Sequence, residues 1–428
     1  MAKKVTETAA EVEYNGKVIS LEISNFRAIG ENSVFIEIDD IVVLVGPNNV
    51  GKSSILRAYE AIMHGQKKDG HLTIEDFHNK RVDSELLPTV IVETALESKE
   101  GVTDQWLFEI DGKIIVKEKF VWASPNEVPV IYGYLFNEDR WASESDKPAR
   151  PFGNKNTSKS RRPEPIPVHA FQGPEKQAAE IAKVVKKILI EKAEHIVFED
   201  GDEKSALNQV LELAENYKRV VAESSKLEVE KIAEDLTYFI SKIFKNQRVE
   251  FDLNSETASI GLDTLFAGVG EIRMGVDDSM LPISHQGSGA QRTLLWAALK
   301  ILRDIASEKT DSSRPNLLLI DEPELCLHPA AIREARDTLY DLAGTPNWQV
   351  MITTHSPVFI DFASKHTKVA RVERVEGGKV RGTTIFRPNS DEFSEDDKEN
   401  FKILNICDSY IAEFFFGGPV VLVEGDTE

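Results

Sequence analysis

Two kinds of apolar pattern alternate along the chain, and they divide it into strands and helices. Near the start, KVISLEISNFRAIG alternates as a half-buried strand does, with Ile19, Leu21 and Ile23 predicted on one face. NSVFIEID is its expected pairing partner. From Ile41 to Val45 the residues are all apolar, the mark of a strand covered on both faces. That run leads through GPNNVGKSS into a segment whose Ile55, Leu56, Tyr59 and Ile62 recur at helical spacing. TVIVETALE, QWLFEID and KIIVKEKFVW are predicted strands. The stretch 142–167, rich in Ser, Lys, Arg, Pro and Asn, is predicted to be a long loop.

From Glu175 the period changes. EKQAAEIAKVVKKILIEKAEHIV and ALNQVLELAENYKRVVAESSKLEVEKIAEDLTYFISKIF contain neither Gly nor Pro, and Leu211, Leu213, Ala214, Tyr217, Val220 and Val221 form an apolar stripe at helical spacing. Helices of this kind pair with each other or dock on a twin. Strand-like alternation resumes at RVEFDLN and ASIGLD. The block 174–246 therefore reads as a helical insertion between two halves, 1–173 and 247–388, of one α/β domain. The second half offers a helix in ISHQGSGAQRTLLWAALKILRDIA, with Leu294, Leu295, Ala298 and Ile301 as its apolar face. Strands follow at PNLLLIDEPELCLHP, WQVMITTHSPVFIDF and VARVERVEGGKV, each ending in polar residues, where open α/β sheets place their ligands.

Bulk properties narrow the class. A chain of 428 residues exceeds what one small core requires, so two or three domains are expected. No run approaches the roughly 18 apolar residues of a membrane span, and MAKKVTETAAEVEYNGK lacks the apolar core of a secretion signal. With only Cys326 and Cys407, neither a disulfide scaffold nor a cysteine-built zinc site is available, and a reducing, cytoplasmic location is expected. The 51 basic residues against 72 acidic give a net charge of −21. That balance argues against a surface that binds nucleic acid all over, and leaves a local basic stripe open.

The candidate chemistry begins at residues 46–54. GPNNVGKSS has the spacing of a phosphate-binding loop, with a strand before it and a helix after it. Gly46 and Gly51 let backbone amides approach phosphate oxygens, Lys52 adds a point charge, and Ser53 offers a hydroxyl to Mg²⁺. Asn48, Asn49 and Ser54 complete the expected ATP cradle. LLLIDEPE supplies the partner strand: Asp321 is placed to hold Mg²⁺ through water, and Glu322 to polarise the attacking water. One strand later, His355 of MITTHSP is placed to sense the γ-phosphate or orient the water. SHQGSGAQR opens a helix with small residues, and the amides at 287–290 are suited to a second anion contact.

These four elements, in this order and around a helical insertion, resemble the SMC/RecF-like branch of ABC-type ATPases. The resemblance implies an α/β fold of that type and a dimer or higher homo-oligomer. In it Gly287, Ser288 and Gly289 of one subunit close over the γ-phosphate bound to the other. Gly287 stands where that signature begins with Ser, and Ser288 lies next to it. By the same resemblance Arg27 of LEISNFRAIG lies near the nucleotide, and the 174–246 helices hold the dimer. VVLVEGDTE, at 420–428, resembles the first strand of a Toprim domain, in which the acid of VEG, here Glu424, helps bind Mg²⁺. An ABC-type ATPase followed by Toprim is the layout of the overcoming-lysogenization-defect (OLD) family of DNA nucleases, several of which act against phage. The resemblance implies DNA as partner, a further defence protein as a possible one, and no membrane. Segment 389–428 is then a linker and an incomplete Toprim start, so the chain is expected to be part of a longer protein. Two other readings stay open: a RecF-like ATP-switched DNA clamp without nuclease activity, and an ATPase scaffold restraining a separate effector.

Overall fold

The computed structural model describes residues 16–64, 71–96, 102–110, 112–143, 161–170, 181–185, 230–241, 247–251, 272–276, 279–308, 315–345, 347–361, 366–375 and 378–386, with a few isolated positions. The strands in chain order are β1 (Gly16–Ser24), β2 (Val34–Glu37), β3 (Ile41–Val45), β4 (Thr89–Leu96), β5 (Phe108–Ile110), β6 (Lys113–Val121), β7 (Val130–Leu135) and β8 (Arg140–Trp141). They continue with β9 (Glu164–Val168), β10 (Arg248–Phe251), β11 (Ile272–Val276), β12 (Ser279–Pro282), β13 (Asn316–Asp321), β14 (Trp348–Thr353), β15 (Thr367–Arg374) and β16 (Val380–Phe386). The helices are α1 (Lys52–His64), α2 (Ser288–Glu308) and α3 (Pro329–Ala343). No described helix is long and apolar enough to cross a membrane.

The central sheet runs β16-β15-β3-β14-β13-β9, parallel except for the β15–β16 pair. β3 explains its own place there. All five of its residues are buried, and they split between two cores: Ile41, Val43 and Val45 on one face, Val42 and Leu44 on the other. The first core takes in α2, α3 and the helical turns at 181–185 and 230–241, which contribute Val184, Val185, Leu236 and Ile240. The second holds α1 and the inner face of an antiparallel sheet ordered β2-β1-β4-β6-β7-β8, with β5 on β6. β10, β11 and β12 make a separate three-stranded antiparallel sheet. Strands from both sides of residues 174–246 thus share one sheet. Gln349 of β14 accepts from the amide of Val18 and donates to its carbonyl, fastening the two large sheets.

The structure departs from the sequence expectations at several points, among them QWLFEID, where Asp104–Trp106 is a 3-10 turn and the strand begins only at Phe108. Leu21 and Ile23 are buried together, but Ile19 is not on their face: a bulge between Val18 and Ser20 leaves it unopposed and brings Val18 inward instead. Within 142–167, residues 164–167 are not loop but the start of β9, an edge strand on β13. Its prolines fit because Glu164 gives its amide to Pro315 O, so the alternate positions 165 and 167 face away from β13, where no N–H is needed. α2 is more deeply set than a one-faced helix, since residues 290–299 are all buried. The Leu211–Val221 stripe, ASIGLD and all of 420–428 lie outside the described residues.

Candidate functional site

Parallel pairing brings three strand ends to one edge. Leu44 is level with Thr353, and Thr353 with Asp321, so the loops after β3, β14 and β13 meet. The first is shaped by its glycines. Gly46 has φ 137°, and a Cβ there would stand 2.0 Å from Val372 O, so only glycine fits beneath β15. Gly51 has φ 108° and packs on Ala28 and Ile29 where the loop enters α1, while Asn49 adopts a left-handed φ of 61°. Asn48, Asn49 and Ser53 are exposed, and Ser54 is buried against the loop.

Lys52 is the buried centre of this loop, only 6% exposed. Its Nζ donates to Gly46 O (2.9 Å) and Pro47 O (2.8 Å) and lies 2.9 Å from His355 Nε2. Burial pushes its pKa down, against Glu322, Asp321 and Glu324, which hold it up. Ser53 Oγ donates to Asp321 Oδ1 at 2.8 Å, and Thr353 Oγ1 donates to the same oxygen. Glu322 turns out of β13 with φ 50°, its amide held by Thr353 O at 3.0 Å. Its carboxylate lies 3.8 Å from His355 Nε2. Burial first, then the charges of Asp321 and Glu324, push the Glu322 pKa up, while Lys52 and Arg292 oppose them.

Burial and then the Lys52 charge push the His355 pKa down, against Asp321, and so favour the neutral ring. A neutral ring whose Nε2 faces an ammonium accepts there and carries its proton on Nδ1. The residue that positions it is Glu324, the third acid of DEPE, which sequence reasoning missed. Glu324 Oε1 accepts from His355 N at 2.6 Å and Oε2 from Thr354 Oγ1 at 2.9 Å. Three acids within four residues are the only trace of this role in the sequence. Burial raises the Glu324 pKa, and these hydrogen bonds work against it.

The other expected residues lie around this centre. Arg27, itself left-handed, donates from Nε to buried Asp76 at 2.8 Å. Its charge, with those of Arg57, Glu60 and Asp321, acts on His169 just beyond β9, whose pKa is lowered mainly by burial. Gly287 and Ser288 are exposed, and a Cβ at Gly289 would meet Cys326 O at 3.1 Å, so the 287–290 loop lies against the turn after β13. One helical turn on, Arg292 donates to His169 O (2.7 Å) and Ala170 O (2.9 Å). Glu424 lies outside the described residues.

A profile of AAA ATPase domains matches residues 17–161 and 130–360, most of the chain. The chain belongs to this AAA ATPase family. The Old nuclease of Escherichia phage P2 is 26% identical to this ATPase over 424 residues, spanning 96% of the chain and 68% of the relative. The OLD nuclease of Thermus scotoductus is 29% identical over 153 residues, 35% of the chain and 26% of that relative. Among solved structures, the Smc head bound to the C-winged helix domain of ScpA aligns with a TM-score of 0.51 at 15% identity, covering 86% of this chain and 98% of that one. A Pyrococcus furiosus Smc head domain with an extended coiled coil, bound to the C-terminal domain of ScpA, gives 0.52 at 14%, covering 92% and 99%. At such identities the likeness shows the fold, an SMC-head-like ABC P-loop ATPase fold.

The donor set of this ATPase fits Mg²⁺. Ser53 Oγ and Asp321 Oδ1 are hard oxygen donors already 2.8 Å apart at the mouth of the phosphate loop. One carboxylate, one hydroxyl and substrate phosphates are a usual protein contribution to that ion.

Proposed function

We propose that the chain is the ATP-binding and hydrolysing module of an OLD-type DNA endonuclease. The observation that carries this reading is the 2.8 Å contact between Ser53 Oγ and Asp321 Oδ1, with Lys52, Glu322 and His355 converging beside it. In the proposed reaction Lys52 exchanges two carbonyls and a neutral imidazole for anionic phosphate oxygens, and amides of 46–54 share that charge. Ser53 and Asp321 hold Mg²⁺, which supplies positive charge against the phosphate oxygens. Glu322 takes the proton of the attacking water. His355, freed from Lys52 and fixed from behind by Glu324, contacts the γ-phosphate.

The larger frame of the proposal is a homodimer in which 287–290 of each subunit closes the site of the other. Its parts are ATPase halves at 1–173 and 247–388, a dimerising block at 174–246 and a Toprim start at 389–428 with Glu424 as metal ligand. The ATPase would control a Mg²⁺-dependent nuclease acting on DNA, in the cytoplasm, in defence against phage. The nuclease relatives at 26% and 29% identity support this frame.

Calorimetry with ATP and Mg²⁺ tests the core of the reading. Lys52→Ala should abolish uptake. Glu322→Gln should bind ATP and hydrolyse it at least about 100-fold more slowly, as loss of a general base requires. Absence of uptake by the unaltered protein, or normal turnover by Glu322→Gln, would refute it. A nuclease assay on the complete gene product, with and without ATP, tests the rest: no DNA cleavage in either condition would reject the endonuclease.

A further inference from the structure

The antiparallel sheet packs one face on α1 and turns the other outward. On that outer face β6 presents Lys117 and Lys119, and β7 presents Tyr132 and Tyr134. Trp141 stands opposite Tyr134 on β8. The rings form a connected series. Trp141 meets Tyr134 edge-on at 5.1 Å, Tyr134 meets Phe136 at 5.2 Å, and Phe136 stacks on Phe108 at 5.3 Å with 17° between the planes. The series ends on Phe108, which remains 45% exposed. Phe136 stacks on that ring, and nearly half of the Phe108 residue stays exposed.

The two lysines are not alike. Lys117 pairs with Glu93 at 3.0 Å. Lys119 has no carboxylate at ion-pair distance among the described residues. Its ammonium sits 5.2 Å from the Tyr132 ring centre and 4.6 Å from that of Trp141. Burial lowers its pKa, and no neighbouring acid offsets this. Among the described residues, Lys119 is thus a half-buried cation held by rings and not by a carboxylate. Rings hold such a cation in place with about 0.5–1 kcal/mol each, and an anion can still approach from the open side. An exposed aromatic ring and, further along β6, a cation with no described carboxylate partner suit a base and a phosphate of one extended strand.

We propose that this outer face binds unstacked nucleotides of single-stranded DNA, a base stacking on Phe108 and a backbone phosphate meeting Lys119. Stacking favours single strands over duplex, because only unpaired bases expose their faces. The acidic molecule also offers too few cations here to hold the dense phosphates of a duplex by charge alone. The site is distinct from the phosphate loop and stands whether or not ATP is hydrolysed there.

Fluorescence anisotropy of the full chain with a labelled oligodeoxythymidine, at low salt and without ATP, tests the proposal. Phe108→Ala and Lys119→Gln should each weaken binding by about tenfold, within the range expected for one stacked base or one lost contact. ATP uptake by both variants should be unchanged, which also reports that they fold. A duplex of equal length should bind more weakly than the single strand. Equal binding by both variants, a preference for duplex, or no single-strand binding by the unaltered protein would overturn the site. So would a change in assembly mass with unchanged DNA affinity, which would make the face a protein interface.

Discussion

Glu322 connects the electrostatics of the site to a measurable pH dependence. Burial and the neighbouring Asp321 and Glu324 raise its pKa, while Lys52 and Arg292 hold it down. As the proposed base it must be ionised, so hydrolysis should fall as pH drops through a value above the ordinary glutamate range. Removing a cation that holds the value down should move that limb higher still. The pH–rate profile of Arg292→Ala should therefore lose activity at higher pH than the unaltered protein, and an unmoved limb would reject the coupling. Glu324→Ala should lower kcat with little change in the KM for ATP, because it frees the amide of His355 and leaves the phosphate loop intact. Steady-state kinetics separate the two effects. Lys52, Ser53, Asp321, Glu322 and His355 were legible in the sequence because each follows an apolar strand and has side-chain chemistry suited to phosphate or water. Glu324 was not, since it holds His355 through a backbone N–H 31 positions further on, which no side-chain pattern records.

Among the elements, β9 was the hardest to read. Two prolines in five residues argue against a strand, and only its edge position in the parallel sheet reconciles them with pairing. The residues before it do more than connect. Arg162 Nη2 donates to Glu118 Oε2 on β6 at 2.7 Å, and both side chains are 2% exposed. The guanidinium also lies 4.9 Å from the Phe120 ring centre. This pair ties the entrance of the parallel sheet to the antiparallel one. Glu118→Ala would remove the buried carboxylate that Arg162 meets, and should cost about 3–5 kcal/mol. Urea unfolding monitored by circular dichroism measures that cost. The bulge at Ile19 was equally illegible: alternation predicts a face, but not the extra residue that shifts it.

For the molecule as a whole, residues 174–246 contribute to the core, and a dimerising role is proposed for them besides. The described turns at 181–185 and 230–241 belong to the main core, so removing all of 174–246 would damage the fold as well as any interface. Excising 186–229 and joining the ends with a short Gly/Ser linker spares those turns. That variant should self-associate more weakly in sedimentation, and an unchanged mass would refute the dimerising role proposed for the block.

The order of strands in the central sheet also bears on how the protein is made. β3 lies between β14 and β15, and Val18 shares hydrogen bonds with Gln349, 331 positions away. At about 5–20 residues per second, the ribosome delivers the strand before the phosphate loop roughly 15–60 s ahead of either neighbour. Through that interval β3 lacks both of its hydrogen-bonded strand neighbours, and Gly46 has no Val372 carbonyl to close upon. A nascent chain therefore closes the phosphate loop beneath β15 only after residue 372 has been made.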